Sequence, residues 1–277
     1  MKPERTPACQ IVIRALPFKK EAAAHVLGCI LGGRVRAVVH QAKMRLDPRE
    51  RIQRMMFLGE YEPEQTRWFK ECIEPGDIVV DVGASFGYYT ALASALVGPS
   101  GKVFAFEPSP VASGVIEETI RDSGIRNIVL TKAAVGKAPG IVPLFLPNDG
   151  SLHSPSIFYS DPAYSPVQVP MLSLDGFDPL KDVPKVKMVK IDVEGYEPDV
   201  LDGMERMVRS RRIENVLCEF NSGWLSRNST TPERLLARFL DLGFAIREKT
   251  ALQRIPTGKP GETFDLQDFW FRRKDLP

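Results

Sequence analysis

From Asp77 onward, short apolar runs alternate with amphipathic stretches, and Gly and Pro punctuate the joins. Ile78-Val79-Val80 is a β-branched run that predicts a strand, closed by Asp81-Val82-Gly83-Ala84-Ser85-Phe86-Gly87. Residues 88–97 read as a helix with small residues inward, and Gly98-Pro99-Ser100-Gly101 as a turn. Residues 102–106 form the next strand, stopped by Glu107-Pro108. A helix over 111–122 and a third strand over 127–135 follow. Strand, helix, strand, helix, strand is the pattern of a parallel sheet covered by helices, an α/β fold.

The middle is less regular. Residues 141–146 predict a short strand, 147–166 a Pro- and Ser-rich surface loop, and 167–174 another strand. Alternation then resumes with a strand over 187–192 and a helix over 197–210, where Pro198 is tolerated in the first turn. A strand over 215–220 comes next. Thr231-Pro232-Glu233 opens a helix that ends near Gly243. Residues 244–248 and 268–272 predict a closing hairpin at one sheet edge.

The first sixty residues differ in character and predict a helical extension, which divides the chain into an N-terminal unit, 1–60, and a main domain, 61–277. They carry a basic run: Arg34, Arg36, Lys43, Arg45, Arg49, Arg51 and Arg54. Such a run is a solvated helix face, or a dock for an anionic substrate or a membrane surface. The apolar stretch 22–39 is interrupted by His25, Arg34 and Arg36, so it reads as a buried or interfacial helix, not a transmembrane span. No signal peptide is visible at the N-terminus.

Composition adds exclusions. A chain of 277 residues with 43% hydrophobic and 26% charged residues is an ordinary globular protein. A net charge of +2 gives no argument for nucleic acid as a partner. Cys9, Cys29, Cys72 and Cys218 form no CxxC pair, so zinc and disulfide frameworks are disfavoured; reduced thiols point to the cytoplasm.

Ligands of such sheets bind outside the carboxyl ends of the strands. There the sequence places Asp81, Gly83 and Gly87 after the first strand, and Glu107 after the second. Asp192 and Glu194 follow the fourth strand, and Glu219 and Asn221 the fifth. Gly83 lets the backbone take a strained turn, Gly87 lets the next helix pack closely, and that helix offers free N–H groups. Glu107, about 20 residues past the turn, suits ribose hydroxyls. Asp81 would repel a pyrophosphate but attract an ammonium group, so adenosine joined to an amino acid, S-adenosylmethionine, fits better than NAD.

The segments DVGASFGYYT, KVFAFEPSP, KIDVEGYEPDVLDGM and CEF resemble the FkbM family of methyltransferases. The resemblance implies a class I methyltransferase, Rossmann-like fold: a seven-stranded, mostly parallel sheet flanked by helices, its last strand antiparallel. It implies S-adenosylmethionine as cofactor and O-methylation of a sugar, glycolipid or polyketide-like acceptor. By that resemblance Asp81, Gly83, Ala84, Ser85 and Gly87 form the cofactor loop, Glu107 with Pro108 the ribose site, and Asp192, Glu194 and Gly195 an acidic motif. Ser85 departs from the family, which usually has Asn there.

A hydroxyl nucleophile must lose a proton, to a general base or with help from a metal. His153, in the 147–166 loop, is one base candidate; Asp192 and Glu194 are others. Glu194 and Glu197 also suit the start of the following helix. Asp192, Glu219 and Asn221 form an all-oxygen set that would suit magnesium, or Glu219 is a substrate acceptor or a paired buried acid. Tyr61 and Glu62 are placed to fold over the cofactor. Two other classes compete: an NAD(P)-linked oxidoreductase, against which stand the missing GxGxxG and Tyr-x-x-x-Lys, and a non-catalytic paralogue, against which stands the intact motif set.

Overall fold

The computed structural model describes residues 7–16, 19–148, 157, 162–256 and 263–275. The N-terminal layer comprises α1 (Ala8–Arg14), α2 (Lys20–Ile30), β1 (Val35–Val39), β2 (Ala42–Leu46) and α3 (Arg51–Leu58). The helices match the expected helical extension, but β1 and β2 are an antiparallel hairpin that the sequence reading missed. Its sign was the period of two: Val35, Ala37 and Val39 face inward, as do Ala42, Met44 and Leu46. The turn residues His40 and Gln41 both have positive φ, 48° and 67°, the geometry that matches strand twist in two-residue hairpins. The stretch 22–39 is thus the end of a helix and a strand rather than one helix. The buried Gln10 amide ties α1 to this layer, donating to Phe57 O at 2.8 Å and accepting from Val38 N at 2.9 Å.

The α4 helix (Pro63–Cys72) leads into β3 (Ile78–Val82), α5 (Tyr88–Val97), β4 (Lys102–Phe106), α6 (Pro110–Ser123) and β5 (Ile128–Thr131). A three-stranded side sheet follows, of β6 (Ala134–Val135), β7 (Gly140–Pro147) and β8 (Tyr164–Leu172). The strand expected over 127–135 is therefore two: β5 ends the main sheet, and β6 pairs with β8. Of the expected loop, most residues, including His153, lie outside the described residues.

The chain then runs through α7 (Asp178–Lys181), β9 (Val186–Ile191), α8 (Glu197–Gly203), α9 (Glu205–Arg209) and β10 (Ile213–Asn221). It closes with α10 (Ser222–Arg227), α11 (Pro232–Asp241), β11 (Phe244–Lys249), β12 (Gln253–Pro256) and β13 (Thr263–Arg273). The helix expected over 197–210 breaks at Met204 into α8 and α9. Thr231 caps α11 as expected, its hydroxyl accepting from Arg234 N.

The main sheet has the order β11-β13-β10-β9-β3-β4-β5, with β12 paired to β13. β13 runs antiparallel to both of its neighbours on that path, while β10, β9, β3, β4 and β5 are mutually parallel. This is the seven-stranded path with one antiparallel strand that the resemblance implies. Alternation along the strands splits the core. Val79, Val103 and Met188 pack under α4, α5 and the N-terminal layer, where Trp68, Phe69 and Leu92 are buried. Val80, Val82, Phe104 and Ile191 face Val200, Leu201 and Phe239 on the other side. Both faces are covered, so these strands carry little polar sequence. The strand order reverses at β3, whose neighbours are β4 and β9, and a crevice opens beyond their carboxyl ends.

Candidate functional site

The crevice is built on a backbone contact. Gly83, just past β3, has φ +79°, and a Cβ there would lie 1.9 Å from the carbonyl oxygen of Asp192, just past β9. Asp192 N donates to Val82 O at 3.1 Å, while Gly83 N and Ala84 N both donate to Phe106 O. Three strand ends are thereby locked together. Ser85 follows at φ +50°, a conformation that Asn adopts more readily than Ser, so its departure from the family residue is paid in local strain. Gly87 then opens α5.

Glu107 ends β4 with 6% of its surface exposed. Its Oε2 accepts from Ser85 N at 2.7 Å and its Oε1 from Ser109 N at 2.8 Å. Burial pushes its carboxyl up to about 7, against the pull of those two donors and with Asp81 and Asp192 adding to the push. Asp81 lies beneath the turn and is not part of the cavity wall. It is 1% exposed; its Oδ2 accepts from the Thr90 hydroxyl at 2.6 Å, and its buried Oδ1 has no hydrogen-bond partner among the described residues.

The cavity measures about 620 Å3. Gly83, Ala84, Ser85, Glu107 and Pro108 form one wall; Arg51 and Met55 of α3, with Tyr61 and Glu62, close it from the N-terminal side. Asp192 and Glu194 also line it, but Glu197 does not. The buried Glu197 carboxylate accepts from Gly195 N at 3.1 Å and Val193 N at 3.3 Å, holding the loop that carries Asp192 and Glu194. Lys190, on β9, donates to Asp192 Oδ2 at 2.9 Å and lies 4.9 Å from the centre of the Tyr89 ring. Burial works against its charge, yet Asp192, Asp81 and Glu62 hold its ammonium above the ordinary range. The Tyr89 hydroxyl donates to Glu62 Oε2 at 2.6 Å.

Sequence reasoning missed the partner of Glu219. In the β10–β13 register Glu219 stands directly opposite Asp268, and both line the cavity. Residues paired this way project from the same face at short range. Gln65 of α4 donates to Asp268 Oδ2 at 2.7 Å. Burial, then the nearby carboxylates, raise both groups: Asp268 to about 7, through Glu62 and Asp192, and Glu219 well above the carboxylate range, through Asp192 and Glu194. Two opposed carboxyls, half-buried on one cavity wall, cannot both ionise cheaply, so the pair retains a proton and can accept another near neutral pH. Asn221, grouped with Glu219 in the sequence, is committed elsewhere: its Oδ1 accepts from Gly223 N and Trp224 N and caps α10. Among the described residues no three His, Cys, Asp or Glu side chains stand in a metal-binding arrangement.

The raised Glu107 carboxyl has a measurable consequence. Its folded-state value lies above its unfolded one, so between the ordinary carboxylate range and about 7 the folded protein holds a proton the unfolded chain has lost. Stability of the ligand-free protein therefore falls as pH rises through that window. A nucleoside whose hydroxyls donate to Glu107 binds the ionised form. Its affinity should rise roughly tenfold between about pH 6 and pH 8, with release of a proton. Calorimetry in buffers of different ionisation enthalpy reads this directly; a pH-independent affinity with no proton released would remove Glu107 from the contact.

Comparison with known proteins follows the same line. The profile of the family described as Methyltransferase FkbM domain matches residues 81–246. Over 162 residues the chain is 26% identical to the hexuronic acid methyltransferase AglP of Haloferax volcanii, covering 58% of this chain and 63% of that one. A stretch of 56 residues is 41% identical to protein-L-isoaspartate O-methyltransferase of Aeropyrum pernix, covering 20% of this chain and 22% of that one. The chain thus matches less than two thirds of the length of either curated relative. Among solved structures, a methyltransferase FkbM from Methylobacillus flagellatus KT is similar at 17% identity, covering 79% of this chain and 52% of that one, with a TM-score of 0.44.

Proposed function

The chain belongs to the methyltransferase FkbM domain family, and on that premise we propose that it transfers a methyl group from S-adenosylmethionine to a hydroxyl oxygen of an acidic sugar. The observation that carries the proposal is one cavity in which the Gly83–Gly87 turn and Glu107 share walls with the opposed Glu219 and Asp268. The residues fit the cofactor: Gly83 lets the turn close against the Asp192 backbone, and Glu107, on the cavity wall, keeps acceptor capacity beyond its two backbone donors. In this reading the backbone of Gly83, Ala84, Ser85 and Gly87 cradles the amino-acid portion, and Glu107 with Pro108 takes the ribose. Asp81, held beneath the turn by Thr90, supports the turn from below, and Asp192 and Glu62 line the cavity as acidic groups for a cationic ligand.

The cofactor supplies an electrophilic methyl group on a positively charged sulfur. When bound it would give that methyl to the hydroxyl oxygen, an O–C bond replacing the C–S bond whose electron pair would stay on sulfur. The hydroxyl proton passes to the ionised member of the Glu219–Asp268 pair, which then returns it to solvent. We place general-base duty on this pair, with Asp192 engaged by Lys190 and Glu194 lining the wall beside it. His153 lies outside the described residues.

The acidic character of the sugar rests on Arg51 and on the relative AglP, whose name specifies a hexuronic acid. Arg51 and Lys190 are the basic side chains of the described wall, and Lys190 is taken by Asp192. Arg51 is exposed and makes no ion pair among the described residues. A sugar carboxylate set on Arg51 would leave its ring hydroxyls facing the acidic wall, which would repel the reverse orientation.

Transfer of radiolabelled methyl from S-adenosylmethionine to methyl glucuronide and to methyl glucoside tests this. The glucuronide should be preferred, and Arg51→Met should raise its KM about tenfold or more while leaving the glucoside unchanged. Equal use of both sugars, or no effect of Arg51→Met, would overturn the acidic-sugar assignment. Transfer to neither, with the cofactor bound, would overturn the sugar assignment altogether.

A further inference from the structure

The described chain keeps most of its large apolar residues inside, with one concentrated exception. Ile11, Val12 and Leu16 on and after α1, and Val26, Ile30 and Leu31 on and after α2, are all exposed, Ile30 by 75%. Of the others, Ile52 sits on the neighbouring α3, while Val111, Ile141, Leu240, Ile246 and Leu252 are scattered over distant elements. On α2 the two faces are distinct. Ala24 and Gly28 are buried, Gly28 packing against Pro48 and Arg49, while Val26 and Ile30 stand one turn apart on the outer side.

Charge is distributed as unevenly as apolar surface. Residues 7–46 carry Arg14, Lys19, Lys20, Arg34, Arg36, Lys43 and Arg45 against one acid, Glu21, in a chain whose net charge is +2. Some of this charge is spent inside the fold: Arg14 donates to Phe57 O, Lys20 pairs with Glu60 and Arg45 with Glu118. Lys19, Arg34 and Arg36 are exposed and make no ion pair among the described residues. Lys19 directly precedes α2, and Arg34 follows Leu31 by three residues, so cationic side chains flank both ends of the apolar stripe.

We propose that α1 and α2 form a docking face for an anionic membrane surface, with Val26, Ile30 and Leu31 entering the headgroup layer and Lys19, Arg34 and Arg36 meeting lipid phosphates. An apolar stripe bordered by basic residues on a helix that does not span is the pattern that lies in the interface plane. No helix among the described residues is long and apolar enough to cross a membrane. A purely apolar face would suit a protein partner equally; the excess of free cations beside this one selects an anionic surface. The face also bears on the cavity, because α2 packs on α3, which supplies Arg51 and Met55 to the wall. Docking there would bring the cavity to acceptors carried on lipid. The inference goes beyond the methyl-transfer reading and stands independently of it.

Co-sedimentation of the full chain with vesicles of phosphatidylcholine alone, and of phosphatidylcholine and phosphatidylglycerol in equal parts, tests the proposal. The protein should sediment with the mixed vesicles, more weakly with the neutral ones, and less as salt is raised. Val26→Asp with Ile30→Asp should lower partitioning about tenfold or more, and Arg34→Ala with Arg36→Ala several-fold. Both pairs are exposed, so an unchanged circular dichroism spectrum is expected and confirms that the fold survives. Wild-type protein left in the supernatant with both vesicles would overturn the proposal, as would unchanged binding by the Asp variant. So would light scattering that shows, without lipid, a dimer which the Asp variant splits, since the face would then join two copies of this chain.

Discussion

Gly83→Ala is expected to abolish S-adenosylmethionine binding and to destabilise the fold by about 3 kcal/mol or more. Two costs add. The residue has φ +79°, which an L side chain adopts only with strain of roughly 1–2 kcal/mol. The new Cβ would also lie 1.9 Å from Asp192 O, a backbone atom that no rotamer change can move. Relief requires β3 and β9 to part at their carboxyl ends, which disturbs the Asp192 N to Val82 O bond and the turn that aims Ser85 N at Glu107. Gly124→Ala is the matched control, with φ +64° and nothing within 4 Å, so it carries the strain without the collision. Thermal unfolding should show the Gly83 variant melting roughly 6 °C or more below wild type, and the control losing less than half of that with cofactor affinity intact. Equal melting losses in the two variants would mean that the collision is absorbed elsewhere.

Glu219→Gln and Asp268→Asn should each lower kcat by about 10²–10⁴ while leaving cofactor affinity within about twofold. The split is diagnostic. A wall residue that only bound sugar would raise KM, and one that only supported the fold would lower the melting temperature and cofactor affinity together. The pair also sets the pH profile. With Asp268 raised to about 7, activity should climb through neutral pH as the pair gives up its first proton. That limb should move or vanish in each variant. Glu62 and Tyr61 before α4, Gln65 on α4, and Lys190, Asp192 and Glu194 on or after β9 surround the pair and are the same in wild type and both variants. A variant retaining wild-type kcat and the wild-type limb would remove the pair from proton transfer.

What the sequence revealed and what it hid follow from range. β3, α5 and β4 are flanked by Gly and Pro and obey one local period each, so their bounds were legible nearly to the residue. Gly83 and Glu107 were visible for the same reason, being set at fixed distances from those elements. Asp268 was not, because its meaning depends on the β10–β13 register, which joins it to a residue 49 positions earlier. Arg51 was hidden inside a run of charges whose other members, such as Arg45 and Arg49, pair with Glu118 and Asp47. The sequence shows in Asp81 a charge that attracts an ammonium group, but not that Thr90 donates to it and that it stands off the cavity wall. The hairpin escaped because its positive-φ turn is built from His40 and Gln41, not from Gly or Asn.

Cofactor identity is the claim on which the chemistry depends, and calorimetric titration of the purified protein with S-adenosylmethionine, S-adenosylhomocysteine and NADH tests it most directly. Saturable binding of both adenosyl ligands, weakened at least tenfold by Glu107→Ala and absent for NADH, is the expected result. Binding of NADH without binding of either adenosyl ligand would contradict it.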